Sequence, residues 1–226
     1  MAGLRIIVGS DFHGDEEMVR RFSDRAREER AEIVLVCGDI TNFGTVRDAE
    51  RLLSIVTETK VPVLFVPGNC DPQSLLDLEL EGATQIHGRA YQHGDYIFVG
   101  VGGSPPTPFH TFFEIDEEQI MAELDRALRN VDVRGRLILI SHSPPYNTRL
   151  DKTRLHLHAG SKSVRRFIEE RKPFAVFCGH IHEARGEDRI GDTVLVNPGP
   201  VRHGYYVLAQ LEADSINVKF GVLDEK

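Results

Sequence analysis

Leu4-Arg5-Ile6-Ile7-Val8-Gly9-Ser10-Asp11-Phe12-His13 sets the pattern by which the rest of the chain is read. Leu4 to Val8 is short, β-branched-rich and almost continuously apolar, as suits a strand buried on both faces. Directly after it come Asp11 and His13, two side chains able to bind a metal. If extended geometry carries on past the apolar run, their i, i+2 spacing points both the same way and turns Phe12 to the core.

The pattern recurs along the chain. Apolar runs lie at Ile33 to Val36, Val63 to Val66, Ile97 to Val101, Leu137 to Ile140, Phe174 to Cys178 and Val194 to Val196. Gly38-Asp39 follows the first of these, Gly68-Asn69-Cys70-Asp71 the second, Ser141-His142 the fourth and Gly179-His180-Ile181-His182 the fifth. Between them Val46, Ala49, Leu52, Leu53 and Val56 keep helical spacing, as do Ile120, Met121, Leu124, Ala127 and Leu128 behind an Asp116/Gln119 capping box. A shorter helix over Val164, Phe167 and Ile168 takes Ser161 or Ser163 as N-cap. The first half therefore reads β-α-β-α-β, an α/β chain with a parallel sheet. The tail, Glu187 to Ile190, Thr193 to Val196, Tyr205 to Leu211 and Ile216 to Phe220, reads as antiparallel strands with a Gly191-Asp192 turn.

Ligands of open α/β sheets bind outside the carboxyl ends of the strands, so these groups are expected to converge on one edge. Gly38, Gly68 and Gly179 allow the backbone to approach a bound ion closely. Asp11, His13, Asp39, Asn69, His142, His180 and His182 form a mixed oxygen and imidazole set. Such a set suits Mn, Fe, Zn, Co or Ni rather than Ca or a thiolate cluster.

Composition narrows the setting. The chain has 226 residues, with 27 Lys and Arg against 35 Asp and Glu and a formal charge of −8. One domain over 1–226 fits that length. An acidic chain without Lys/Arg clusters is not expected to coat nucleic acid, although a metal site can still supply local positive charge for a small phosphorylated substrate. No apolar stretch reaches the roughly 18 residues of a membrane span, and the N-terminus reads as a strand, not a signal peptide. Three cysteines without CxxC spacing argue against a disulfide framework or thiolate zinc, and a cytoplasmic location is expected.

The blocks Asp11-x-His13, Gly38-Asp39, Gly68-Asn69-Cys70-Asp71, His142 and Gly179-His180-x-His182 resemble, in that order, the D-x-H, G-D, G-N-H-D/E, lone His and G-H-x-H pattern of the calcineurin-like metallophosphoesterase superfamily. The resemblance implies a four-layer α/β/β/α sandwich and two divalent metals, with Mn²⁺ favoured over Fe, Zn, Ni or Co. It implies that Asp11, His13, Asp39 and His182 hold one ion and Asp39, Asn69, His142 and His180 the other, with Asp39 bridging. It also implies attack on phosphorus by a metal-bridging hydroxide. Cys70 departs from the pattern, standing where the family has a His near the leaving-group oxygen. A thiol, with a reference pKa near ~8.5, cannot stand in for an imidazolium, and a similar G-N-C-D block marks a branch of small prokaryotic phosphodiesterases.

The expectation is therefore a phosphodiesterase for a small or nucleotide-like diester, with Asp39, Asn69, His142, Cys70 and His158 as its catalytic residues. The alternatives are a non-catalytic interaction scaffold on the same fold and a phosphomonoesterase or protein phosphatase. Oligomeric state is left open. Loops at 102–108 and 143–160 are expected to shape the site. In the second, His156 and His158 are either solvated or substrate contacts, with His158 the better candidate, and the helix opening at Ser161 could receive phosphate. Asp71-Pro72 reads as an N-cap followed by Pro at N1, a structural role. Cys37 and Cys178 read as buried small hydrophobes, Arg149, Arg154 and Arg185 as surface charges, and Asn197 as a group behind the ligands.

Overall fold

In the computed structural model, which describes residues 3–129, 131 and 136–223, the apolar runs become strands whose alternate residues feed different cores. Strands β1 (Leu4–Gly9), β2 (Ile33–Val36) and β3 (Val63–Phe65) run parallel, with Ile6 opposite Ile33 and Val34 opposite Val63. β4 (Ala83–Gln85) extends this sheet beyond β3. β11 (Tyr205–Leu211) and β12 (Ile216–Val222) extend it antiparallel on the β1 side, giving the order β12-β11-β1-β2-β3-β4. The second sheet contains β5 (Ala90–His93), β6 (Tyr96–Val101), β7 (Arg136–Ser141), β8 (Ala175–Phe177), β9 (Gly186–Ile190) and β10 (Thr193–Asn197). Its order is β5-β6-β7-β8-β10-β9, parallel from β6 to β10 and antiparallel at both edges.

Ile6, Val8, Ile33 and Leu35 pack between the sheets against Phe98, Ile138, Ile140 and Phe177. The opposite face of the first sheet, Ile7, Val34 and Val36, packs on helices α1 (Glu16–Glu28) and α2 (Val46–Thr57). On the second sheet Ile97, Val99, Leu139 and Val176 meet α3 (Glu117–Ala127) and α4 (Lys162–Arg171). This is the expected four-layer α/β/β/α sandwich. Each fully buried aliphatic or aromatic side chain here contributes about 1.5–3 kcal/mol, and together these oppose the entropy of ordering the chain.

The helix caps follow the sequence closely. Asp116 and Gln119 form the expected box on α3, Thr45 and Asp48 form another on α2, and Ser161, not Ser163, caps α4. Helix α1 is absent from the sequence reading because charge fills its outer face. Its signals were Asp15, which caps it, and the Val19, Phe22, Ser23, Ala26 spacing of its buried stripe.

Candidate metal centre

Strands β1, β2, β3, β7 and β8 deliver their following residues to one edge of the sandwich, as the sequence pattern requires. The strand geometry does not continue through the donors, however. β1 stops at Gly9, and Asp11 and His13 take left-handed conformations with φ of 55° and 48°. The turn is held by a second ladder, because the N–H groups of Asp11, His13 and Gly14 donate to the carbonyls of Gly38, Asp39 and Ile40. Phe12 still faces the core, edge-on to Phe22 at 5.4 Å. His180 is left-handed as well, at φ 68°, and Ile181 between the two histidines is buried. Non-glycine residues in this region each carry a conformational cost and cluster at functional sites.

The donors meet across the two sheets. Asp39 faces His13 Nε2 with one carboxylate oxygen (3.7 Å) and His142 Nε2 with the other (3.5 Å). Asp11 lies 3.3 Å from His182 Nε2 and accepts from the His180 backbone N–H at 3.2 Å. His13 Nε2 and His182 Nε2 approach to 3.1 Å, and His142 Nε2 lies 2.9 Å from Asn69 Oδ1. The His142 and His180 rings are 5.0 Å apart. Asp11, His13 and His182 group closely enough to share an ion, as do Asp11, Asp39 and His142, and so do His13, Asp39 and Cys70.

The donor chemistry fits cations. The Cys37 carbonyl, 2.8 Å from His142 Nδ1, fixes the proton on that nitrogen and leaves the Nε2 lone pair facing the Asn69 oxygen. Two acceptors at that distance repel unless a positive charge lies between them. At 3.1 Å the Nε2 atoms of His13 and His182 are close enough that both could reach one ion. His13 Nδ1, on the far side of its ring, is buried without a hydrogen-bond partner among the described residues.

Electrostatics prepares the same donors. Burial pushes His180 down to about 3 and His13 down to about 4, so both rings are neutral at pH 7 with lone pairs free. Burial pushes Asp39 up to about 6. Burial also acts to raise Asp11, but the His182 hydrogen bond and the surrounding imidazole charges outweigh it and hold that carboxyl below its usual range. For His182, burial lowers the ring while Asp11's hydrogen bond and charge raise it further, for a net rise.

The backbone approaches that the glycines permit are real. A Cβ on Gly68 would overlap Asp39, one on Gly179 would overlap Ser10, and one on Gly38 would overlap the His142 ring. Asp71 is structural but not an N-cap. The short 3₁₀ turn 73–77 starts from Pro72, and the buried Asp71 carboxylate instead accepts from the N–H groups of Ile40, Thr41 and Gly68. It thereby ties the loop after β2 to the loop after β3. Asn197 donates to the Ile181 carbonyl at 3.0 Å and so pins the chain between His180 and His182.

Cys70 is buried beside the donors, and its N–H donates to Asp39 at 2.8 Å. Burial, then the nearby Asp39, raises its thiol well above the ordinary value, so it stays protonated. His158 is not among the donors. Its Nδ1 lies 2.7 Å from the buried Asp151, on a hairpin over 152–158 whose Arg154 N–H donates to Glu183, the residue after His182. Cys37 and Cys178 are buried and free, as expected. Arg185 is no surface charge, since it donates to the Pro198 and Gly221 carbonyls and lies over Tyr205 and Phe220.

The sequence reading missed Arg202 and His203. The Arg202 N–H donates to the Asp11 carbonyl, and the His203 ring lies 6.4 Å from that of His182. Their place right after Asn197-Pro198-Gly199, at the end of a strand pointing to the same edge, was the available signal. Among the described residues no helix is long and apolar enough to cross a membrane.

Residues 4–213 match the model of the calcineurin-like phosphoesterase superfamily domain. The chain is 38% identical over 208 residues to the uncharacterized protein MJ1162 of Methanocaldococcus jannaschii, covering 90% of this chain and 91% of that one. Among solved structures, TT1561 of Thermus thermophilus superposes with a TM-score of 0.76 at 21% identity, over 98% of this chain and 100% of that one. A dimetal phosphatase from Danio rerio superposes with a TM-score of 0.70 at 18% identity, over 100% of this chain and 98% of that one. At those identities the two structures speak to the fold alone.

Proposed function

The chain belongs to the calcineurin-like phosphoesterase superfamily, and we propose that within it the chain is a two-metal phosphodiesterase acting on a small or nucleotide-like diester. One observation carries the two-metal part of the reading: the two Asp39 oxygens face imidazoles of two different donor groups, an arrangement in which one carboxylate could join two ions. Asp11, His13 and His182 would complete one side, and Asn69, His142 and His180 the other. The ions, Mn²⁺ by preference, would supply Lewis acidity, an activated water near neutral pH and charge to hold a phosphate.

The residues do the rest of the positioning. Neutral His13 and His180 keep lone pairs on offer, and the Cys37 carbonyl holds His142 in the tautomer that presents Nε2. Arg202 and His203 stand on the rim beside His182, where a phosphate oxygen can be drawn in and oriented. Cys70 sets the preference for diesters. A protonated, buried thiol is a weak donor, so the leaving oxygen gets little help with its proton. A positioned general acid typically contributes about 10²- to 10⁴-fold. Its lack weighs most on a monoester, whose doubly charged phosphate expels an alkoxide poorly, and least on a diester with a good leaving group.

The Mn-loaded protein is expected to turn over bis(p-nitrophenyl) phosphate with higher kcat/KM than p-nitrophenyl phosphate. A monoester preference would overturn the diester assignment. Folded protein that stays metal-free in Mn, Zn, Ni and Fe would overturn the hydrolase itself and favour the scaffold.

A further inference from the structure

Beside the donors lies an aromatic pair that hydrolysis alone leaves without a task. Phe43 is 49% exposed and Phe112 53% exposed, and their rings meet edge to face at 5.1 Å and 79°. Both are fastened to the loop that carries Asn69 and Cys70. The Phe43 N–H donates to the Cys70 carbonyl at 3.1 Å, and the N–H of Phe113, next to Phe112, donates to the Asn69 carbonyl at 3.0 Å. Phe43 also ends the segment that starts at Asp39, whose course Asp71 fixes through Ile40 and Thr41. Phe113 is buried, so two adjacent phenylalanines serve opposite purposes.

Phe43 is held at φ 57°, where a bulky side chain is a genuine outlier and Asn or Gly is preferred. An exposed ring in a strained backbone gains nothing for the core. We propose that Phe43 and Phe112 form a stacking subsite for a planar group, a nucleobase or similar aryl ring, on one ester arm of the substrate. This inference rests on the phosphodiesterase reading, and it names the substrate class that reading leaves open. The two rings stand on segments bonded to the Asn69–Cys70 loop, so an ester arm leaving the donors on that side would meet them. Aromatic faces accept any base, because every base has a π-face. A second copy of the chain is a poorer occupant. Phe43, Phe112 and the neighbouring exposed Phe109 together present roughly 400 Å² of ring surface, against about 800 Å² per partner in a stable interface.

The test is calorimetric titration of the Mn-loaded protein with adenosine 5′-monophosphate and with methyl phosphate, which share the phosphate and differ in the base. Wild type is expected to bind the nucleotide about tenfold or more tightly than methyl phosphate. The double variant Phe43→Asn, Phe112→Ala is expected to bind both alike, with Mn content and methyl phosphate affinity unchanged. Asn suits the left-handed backbone, so Phe43→Asn alone should melt no lower than wild type. A nucleotide advantage that is missing in wild type, or that survives in the double variant, would overturn the subsite. So would a double variant whose change is confined to its sedimentation coefficient, which assigns the rings to a second copy. Base-dependent binding lost in the double variant, in a protein that hydrolyses no diester, keeps the subsite and sinks the hydrolase reading, so the two failures are told apart.

Discussion

The two sheets bring different chemistry to the shared edge. The first sends Asp11, Asp39 and Asn69, all oxygen donors, with His13 as its one imidazole; the second sends His142, His180 and His182. Three of the first sheet's donors, Asp11, His13 and Asp39, sit on strained backbone braced by the Asp71 carboxylate and by the ladder from Gly38 to Ile40. The second sheet's leading donor is oriented by the first, through the Cys37 carbonyl. Neither sheet alone holds a set of donors that balances charge and softness. Between the sheets the bulk of the contact is apolar packing, which has no directional preference, with polar ties only at its margins, such as Arg185 to the Gly221 carbonyl and the Gly103 N–H to the Pro67 carbonyl. Ions at the edge would therefore act as staples that fix the register of one sheet on the other.

The severest way to break this picture is Asp39→Ala, which removes the carboxylate whose two oxygens face His13 and His142. Turnover should fall by about 10³-fold or more, and elemental analysis should find the variant nearly free of metal where wild type holds close to two ions. Chelation should lower the wild-type Tm by roughly 5–10 °C, from a linkage term of about 2.7 kcal/mol at 100-fold saturation. The variant should not respond. An Asp39→Ala chain that keeps both ions would show that the sheets are not joined through this carboxylate.

A smaller change sharpens the first sheet's share. Cys70→His places a proton donor beside Asp39, and monoester turnover should rise about 10- to 100-fold relative to diester turnover. A mono-to-diester ratio that does not move would mean that Cys70 merely packs under the loop and that selectivity is set elsewhere.

The contrast between the sheets also explains what the sequence revealed. The convergence of the seven candidate donors was legible because each follows an apolar run, and the layers were legible because residues such as Ile6 and Ile7 alternate between two cores. What escaped depends on partners distant in sequence. Extended geometry through Asp11 and His13 was a sound local expectation, but the carbonyls from Gly38 to Ile40, supplied by another strand's loop, pull the turn left-handed. Asp71 looked like a cap because Pro72 follows it, yet its acceptors are filled from Ile40 and Thr41. Arg185 shows nothing in sequence of the two carbonyls and two rings that hold it, and the Phe43–Phe112 pair joins two loops nearly seventy positions apart.

Acid should act on the second sheet's side as well, through a histidine outside the donor set. His87 is buried and accepts a hydrogen bond from the Gly102 N–H on Nδ1, with Glu123, Arg126 and Phe113 around the ring. Burial, then the Arg126 and Arg89 charges, pushes it down to about 4. The folded state thus keeps the ring neutral while the unfolded chain takes up a proton below pH 6.5. The stabilisation is complete above pH 6.5 and drains away as pH falls toward 4, by about 2 kcal/mol at pH 5. Urea midpoints at pH 7 and pH 5 should move less in His87→Gln than in wild type. Equal shifts in both would place the acid sensitivity at the metal edge instead.

The smallest effect is expected at His158, and it tests whether the second sheet's long loop touches substrate at all. The ring is partly exposed, lies 5.7 Å from Tyr146 and is tethered to Asp151 through Nδ1, which leaves Nε2 without a hydrogen-bond partner among the described residues. Asp151 also accepts from the N–H groups of Asn147, Thr148 and Gly160, so it closes the loop with or without the imidazole. His158→Ala should therefore leave the loop, the Tm and the metal content nearly as they are, while kcat or KM changes about two- to tenfold, the range of one lost polar contact of about 0.5–1.5 kcal/mol. Asp151→Asn is the control, because weakening that clip should lower the Tm. If His158→Ala lowers the Tm as Asp151→Asn does and leaves kcat and KM unchanged for every accepted substrate, the ring belongs to the loop's own packing. Substrate contact would then rest with Arg202, His203 and the aromatic pair.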